Sequence, residues 1–180
     1  MKKQGIAAIL GGLGLITWGV ISGDLPLISQ EQSSLPNPPN PEKNRLCYVK
    51  PGSVYDGDTF RALCGYDELK IKMCGIDAPE TDQPGGIESR DYLRSLLPDD
   101  AEIIVIPIET DRYGRTVAEV WNDAITNGDQ FVNAQMVFAG QAWHYQQYSG
   151  NCPSRNAIAN AARIGTQPTG TPPWEWHKNN

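Results

Sequence analysis

The chain has 180 residues, which is enough for one compact domain with flanking segments, because single domains commonly take about 100 to 200 residues. Hydrophobic residues make up 39% and charged residues 20% of the chain, a composition that excludes fibrous and wholly disordered proteins. A formal net charge of -6 argues against a protein that coats nucleic acid without specificity, since such proteins usually carry a basic patch or stripe.

The N-terminus has the pattern of an export signal. Lys2 and Lys3 precede an apolar stretch at 6–21, and small residues follow it. This order is typical of a cleaved signal peptide, whereas the length of the apolar stretch also approaches that of a single membrane-spanning helix. We therefore expect 1–23 to be a signal peptide or a membrane anchor. The domain would be secreted or periplasmic, or held outside the cytoplasm by a span at 5–22.

Composition divides the rest of the chain into three parts. Residues 24–45 are polar and proline-rich, so we expect an extended linker that cannot bury a core. Residues 46–165 alternate apolar runs with turn signals, and this pattern predicts one folded domain. Residues 166–180 are again rich in Pro, Gly and Thr and finish in PPWEWHKNN, which indicates a C-terminal tail that contains tryptophan.

The apolar patterning within the expected domain predicts an α+β fold. Short β-forming runs separated by turn signals predict five strands, at 46–55, 59–63, 69–76, 102–108 and 116–121. Helical spacing predicts three helices, at 86–97, 131–139 and 153–164. Five short antiparallel strands with an inserted helix fit a small Greek-key barrel, the OB-type fold.

Three short segments concentrate the reactive side chains, and each lies at the end of an expected strand. They are Tyr-Asp-Gly-Asp-Thr at 55–59, Ile-Asp-Ala-Pro-Glu-Thr at 76–81 and Asp-Arg-Tyr-Gly-Arg at 111–115. A phosphodiester needs a hard cation held by oxygen ligands, together with fixed cationic side chains that offset charge developing on its oxygens. Because carboxylates and arginines supply both, the three segments together indicate phosphodiester chemistry.

Each segment also has a purely structural interpretation when taken alone. Asp-Gly is a strong hairpin-turn signal, Asp-Ala-Pro-Glu would suit the entry to a helix, and Asp-Arg-Tyr-Gly-Arg would suit a solvated loop. A second functional hypothesis is a non-catalytic OB-fold module that binds nucleic acid or another ligand, because a fold alone does not fix function. A third is a disulfide-rich adhesion domain, which would need no acidic segments.

The segments V-Y-D-G-D-T, I-K-M-C-G-I-D-A-P-E-T and D-R-Y-G-R-T resemble those of the staphylococcal nuclease (thermonuclease) family. The resemblance covers roughly 47–164. It implies an OB-type barrel with three helices and an endonuclease that uses calcium to hydrolyse DNA and RNA, leaving 3′-phosphate and 5′-hydroxyl ends. The implied partner is a DNA or RNA substrate, and no stable protein partner is implied.

The resemblance also implies a calcium site. Asp58 and Asp77 resemble the family's calcium carboxylates, and the backbone carbonyl of Ala78 resembles a further ligand. Asp56 resembles an outer-sphere acid. These groups all present oxygen atoms, which are the ligands that calcium prefers.

Three further positions resemble the family's catalytic residues. Glu80 resembles the residue that orients or deprotonates the attacking water, and Arg115 resembles the phosphate-binding arginine. The family's other arginine is replaced here by Lys72. A lysine keeps the positive charge but lacks the planar fork that grips two phosphate oxygens.

Aromatic residues near the C-terminus resemble the family's nucleotide pocket. Tyr145 and Tyr148 fall near the pocket tyrosines, with Tyr148 the better match, and Tyr113 is a third candidate for substrate binding. The closing tryptophan segment of the family has no clear counterpart here. Trp174 and Trp176 are the residues that would take over its role.

Four cysteines follow the expected export signal, and an even number in an oxidising compartment predicts two disulfides. Zinc binding is disfavoured because no two cysteines have C-x-x-C spacing, and free buried cysteines are the alternative. A hairpin that turns at 56–58 would bring Cys47 next to Cys64 and leave Cys74 to pair with Cys152. Four cysteines permit three connectivities, and the sequence does not select among them.

Overall fold

The structure is a computed structural model that describes residues 44–123 and 130–179. The expected export signal and most of the expected linker lie outside the described residues. Within the described ranges, no helix is long and apolar enough to cross a membrane.

Five strands close into a barrel, as the sequence predicts. They are β1 (Arg45–Val49), β2 (Thr59–Cys64), β3 (Asp67–Met73), β5 (Glu102–Thr110) and β6 (Thr116–Trp121), and they are ordered β1-β2-β3-β6-β5 around the barrel. Alternation of buried and exposed residues places Cys47 and Val49 of β1 inside and Leu46 and Tyr48 outside. The barrel core contains the largest buried side chains of β2 and β3, which include Phe60, Ile71 and Met73.

One strand pair differs from the expected antiparallel arrangement, because β3 and β6 run parallel. β1 and β3 run in the same direction, since each is antiparallel to β2. β5 is antiparallel to β1, and β6 is antiparallel to β5. A barrel closed by these pairings can only join β3 to β6 in parallel, and the expectation of a fully antiparallel barrel was wrong at this pair.

The expected third strand is interrupted where the site begins. β3 ends at Met73, and Gly75 adopts φ +73, a left-handed conformation that glycine accepts without steric cost. The chain then forms the two-residue strand β4 (Ile76–Asp77), which pairs with β7 (Trp143–His144) outside the barrel. This break places Asp77 on a short strand that is not part of the barrel sheet.

The three expected helices are present in the described part of the chain, and a fourth follows them there. They are α1 (Gly86–Leu96), α2 (Val132–Phe138), α3 (Arg155–Ile164) and α4 (Pro173–Asn179). A single 3₁₀ turn, Gln146–Tyr148, precedes α3. The helix α4 was not expected, because its seven residues follow a Pro- and Gly-rich stretch and carry too few apolar positions for a periodic pattern.

Both expected disulfides are present with the expected partners. Cys47 and Cys64 lie on adjacent strands with their Cα atoms 4.2 Å apart, and Cys74 and Cys152 join the end of β3 to the start of α3 across 6.0 Å. No free cysteine is present in the described residues, which hold all four cysteines of the chain. The bridge to α3 holds the segment 143–152 against the barrel rim.

We expect the two disulfides to contribute unequally to stability, because they close loops of different length. Loop entropy gives about 4.5 kcal/mol for the separation of 78 residues between Cys74 and Cys152, and about 3 kcal/mol for the 17 residues between Cys47 and Cys64. Denaturant unfolding of the two double Cys→Ala variants measures both losses. A larger loss for the Cys47 and Cys64 variant would contradict this ordering.

Candidate active site

A lysine and two aspartates meet at the rim of the barrel. The Nζ atom of Lys72 on β3 lies 2.5 Å from Oδ2 of Asp58 and 3.2 Å from Oδ1 of Asp77. Asp58 directly precedes β2, whose first residue pairs with Lys72, and Asp77 lies on β4 after the break. The two carboxylates therefore contact the same nitrogen and lie close enough to share one ion.

Asp58 is fixed from several directions and is only 2% exposed. Its Oδ2 accepts a hydrogen bond from the backbone N–H of Ala78 at 2.7 Å, and its Oδ1 accepts one from the hydroxyl of Thr59 at 3.1 Å. Its own backbone N–H donates to Oδ1 of Asp56 at 2.9 Å. One buried carboxylate thus joins the loop before β2 to the loop after β4.

Two glycines allow the site loops to approach their neighbours. A Cβ atom on Gly57 would lie 1.8 Å from Oγ of Ser89 and 2.7 Å from Cβ of Ala78. A Cβ atom on Gly86 would lie 1.7 Å from the carbonyl oxygen of Glu80. Gly57 is therefore required for close packing against α1 and the Ala78 loop, a reason that the hairpin-turn interpretation of Asp-Gly did not include.

The charges in this cluster shift one another's proton affinity. Burial, followed by the charge of Asp58, raises the pKa of Asp56 to about 7. Burial also raises the pKa of Asp77, although the Lys72 ammonium acts in the opposite direction. Burial alone would lower the pKa of Lys72, but Asp58 and Asp77 outweigh it and hold that pKa above its ordinary value. The lysine therefore stays charged between the two aspartates.

Glu80 lies beside this cluster and faces solvent. Its side chain is 44% exposed, and its Oε1 lies 3.2 Å from Nε2 of His177 on α4. The charge of Glu80 contributes to the raised pKa of Asp56, after burial and Asp58, so it lies within electrostatic reach of the cluster. A carboxylate in this position is accessible to water beside a charged centre.

Arg115 belongs to a second group, in the loop between β5 and β6. Its Nε donates to Oδ2 of Asp111 at 2.7 Å, and Oδ1 of Asp111 accepts from the backbone N–H groups of Tyr113 and Arg115. The ring of Tyr113 is 67% exposed and lies under Arg112 and Arg115. Among the described residues, no hydrogen bond or ion pair joins Arg115 to Asp58, Asp77 or Glu80.

The tyrosines near the C-terminus do lie beside the cluster. The backbone N–H of Tyr145 donates to the carbonyl of Gly75 at 2.9 Å, which places Tyr145 next to β4. Burial, then Tyr148 and Asp77, raise the pKa of Tyr145. Its ring packs on Tyr148 at 4.7 Å and stacks on Trp174 at 4.9 Å.

The donors present suit a hard cation, even though the described residues contain no group of three or more His, Cys, Asp and Glu side chains arranged around one point. The Lys72 ammonium acts as a stand-in cation at 2.5 and 3.2 Å from two carboxylate oxygens, and calcium binds oxygen at about 2.3 to 2.6 Å. A site with two carboxylates would complete its coordination with backbone carbonyl and water oxygens.

The sequence did not identify several residues that the structure brings to the site. Gln83 is buried and reaches the C-terminal segment, and His177 contacts Glu80. The two tryptophans of W-E-W-H at 174–177 were the sequence signal for a role of the C-terminal segment. The residues that this segment contacts could not be predicted, because they lie far away along the chain.

Comparison with known proteins relates this chain to one family and to proteins named as nucleases. The family described as Staphylococcal nuclease homologue matches residues 70–165. An Escherichia coli O157:H7 protein named an uncharacterized endonuclease is 34% identical over 128 residues, covering 68% of this chain and 80% of that protein. A micrococcal nuclease of Shigella flexneri is 32% identical over 135 residues, covering 69% of this chain and 77% of that protein.

Plant relatives match over a smaller share of their length. A staphylococcal-like nuclease of Arabidopsis thaliana is 34% identical over 116 residues, covering 62% of this chain and 34% of that protein. The chain thus spans about a third of the length of the plant relatives it matches. The family match covers more than half of the chain and includes Lys72, Asp77, Glu80 and Arg115. This chain therefore belongs to the staphylococcal nuclease homologue family.

Proposed function

We propose that the protein is a calcium-dependent endonuclease that hydrolyses phosphodiester bonds of DNA or RNA and leaves 3′-phosphate and 5′-hydroxyl ends. Family membership and the nuclease names of its relatives support a nuclease. The observation that supports calcium dependence is the position of the buried Asp58, which contacts the Lys72 ammonium together with Asp77. Such a pair of oxygen donors beside an exposed glutamate is suited to a hard metal ion and an attacking water.

In this proposal the metal would be held by Asp58, Asp77 and the backbone carbonyl of Ala78, with Asp56 in the outer sphere. A bound calcium ion supplies positive charge to the phosphate oxygens. The Glu80 carboxylate would remove a proton from water, and the resulting hydroxide would attack phosphorus while the bond from phosphorus to the 5′ oxygen breaks. The 5′ oxygen would leave as a hydroxyl after it takes a proton from solvent. With a metal held by the aspartates, the Lys72 ammonium would no longer be needed to balance their charge and would stabilise a phosphate oxygen instead.

Arg115 would supply the second cationic contact. Only its Nε is used by Asp111, and within the described part of the chain its two terminal nitrogens donate no hydrogen bond. The pairing with Asp111 fixes the plane of the guanidinium, and its remaining N–H groups suit two phosphate oxygens. The first residue of β6, Thr116, pairs with Ile71 of β3. Arg115 therefore directly precedes the strand that is paired with the one that carries Lys72.

We also propose that the protein acts outside the cytoplasm. The two disulfides support this, because such bonds persist in oxidising compartments. The expected signal or anchor at 1–23 is consistent with the same location.

The decisive test is the analysis of the products formed with calcium and with a chelator. Single-stranded DNA and RNA should be cut only with calcium, and the new 3′ ends should be extendable by a polymerase only after phosphatase treatment. Ends that are extendable at once would contradict the proposed bond polarity. Binding without any cleavage would instead favour the non-catalytic OB-fold module.

We expect Glu80→Gln to bind calcium normally but to lose turnover by about 10² to 10⁴-fold, because a general base typically contributes that much. Calcium affinity by calorimetry and kcat on an oligonucleotide measure the two effects. Glu88→Gln, at an exposed position on α1, is the matched control. Near-normal turnover in the Glu80 variant would show that another group accepts the proton.

We expect Lys72→Met to bind calcium more tightly than the wild type, because it removes the cation that occupies the two aspartates. Its kcat should fall about ten- to a hundred-fold, the equivalent of one lost charge-assisted hydrogen bond. Lys72→Arg keeps the charge and gains a bidentate fork, so its kcat should equal or exceed that of the wild type. Unchanged calcium affinity and turnover in Lys72→Met would refute both roles.

A further inference from the structure

The C-terminal segment, residues 171–178, contacts the site at three separate points. The carbonyl of Thr171 accepts a hydrogen bond from Nε2 of Gln83 at 2.5 Å. The ring of Trp174 stacks on Tyr145 with the two planes 9° apart, and Nε2 of His177 lies 3.2 Å from Oε1 of Glu80. Each partner belongs either to the loop that carries Glu80 or to the segment that carries the pocket tyrosines.

The local sequence explains why these contacts occur together. Pro173 begins α4, a position where the missing N–H of proline costs nothing. Residues three apart in a helix share one face, so Trp174 and His177 point in the same direction. That face is turned to the site, and its two side chains reach two different groups of the proposed machinery.

Exposure shows that α4 lies beside the site and does not cover it. Glu80 is 44% exposed and His177 is 55% exposed, although they contact each other. Tyr148, the outer member of the row Tyr148–Tyr145–Trp174, is 62% exposed. A substrate can therefore reach both the carboxylate and the outer tyrosine while α4 stays in place.

We propose that α4 forms one wall of the nucleic-acid site, in which Trp174 positions the pocket tyrosines for an unpaired nucleobase and His177 positions the Glu80 carboxylate. This inference rests on the proposed nuclease function. Trp174 and His177 are positioning residues, since each acts through a neighbour.

The aromatic row identifies the class of ligand. Bases stack on aromatic side chains with little sequence preference, because every base has a π-face. Trp174 backs the ring of Tyr145, and Tyr145 in turn supports the exposed Tyr148. Only a base that is not paired inside a duplex can stack on such a surface. The wall therefore favours single-stranded nucleic acid, whether DNA or RNA.

The contact of His177 with Glu80 has a catalytic consequence. The imidazole 3.2 Å from Oε1 restricts the rotation of the carboxylate and leaves Oε2 for the attacking water. Among the described residues, Oε2 of Glu80 has no hydrogen-bond partner. Loss of His177 should therefore affect turnover more than binding.

The test combines binding without metal and turnover with calcium. Anisotropy of a labelled single-stranded oligonucleotide in chelator should show about ten-fold weaker binding for Trp174→Ala, with Trp174→Phe close to the wild type. With calcium, KM should rise to a similar extent and kcat should stay within about two-fold. His177→Ala should lower kcat about ten-fold at unchanged KM, and His177→Gln should recover most of it because its amide can contact the same carboxylate oxygen.

Tyr66→Ala is the control, because this fully exposed aromatic lies in the turn between β2 and β3, at the far end of β3 from Lys72. If Trp174→Ala melts well below the wild type, Trp174→Leu takes its place, since it keeps apolar packing without a ring. Wild-type values for both the Trp174 and His177 variants would overturn the proposal. Higher activity in either variant would also overturn the proposal, because α4 would then inhibit the reaction.

The arms of the experiment separate two kinds of failure. A wild-type protein that binds the oligonucleotide but does not cut it refutes the nuclease function, while the binding comparison still decides the role of Trp174. If the wild type cuts the oligonucleotide and the α4 variants behave like the wild type, only the proposed role of α4 is refuted. A wild-type protein that neither binds nor cuts overturns both.

Discussion

The contact between the buried Asp58 and Lys72 is the constraint on which the site depends. An isolated buried carboxylate is strongly unfavourable, so it must be paired and hydrogen-bonded. Asp58 meets this requirement with the ammonium of Lys72 and the N–H of Ala78. The same bonds fix the positions of Asp77 and of the loop that leads to Glu80. The contacts that stabilise the buried aspartate in the fold thus also hold in place the two carboxylates of the proposed cation site.

This constraint also explains how an acidic protein can handle a polyanion. The formal net charge of -6 would repel nucleic acid if it were spread evenly. At the rim, however, acids surround the Lys72 ammonium, and Lys72, Arg112 and Arg115 stand on β3 and the adjacent loop. Positive side chains thus stand beside the acidic cluster, although the net charge of the whole chain is negative.

The sequence predicted the barrel and its three main helices, because these follow from local periodicity and turn residues. It predicted two disulfides, and the hairpin geometry suggested their partners without excluding the other connectivities. It did not predict α4 or the role of His177, since seven residues after a Pro-rich stretch have no readable periodicity and their contacts are long-range. The parallel β3–β6 pair was missed for a related reason, as it follows from closure of the whole barrel. The pairing of Arg115 with Asp111 was also not predicted, because motif spacing does not reveal which side chain an arginine contacts.

Closure of the barrel has a consequence for the behaviour of the protein at high concentration. Each of the five barrel strands has a neighbour on both sides, because the β3–β6 pair joins what would otherwise be two open edges. Open edges are templates on which other chains add strands and aggregate. The single parallel pair therefore protects solubility, and a substitution that loosened it would first appear as self-association through exposed backbone and only later as loss of activity.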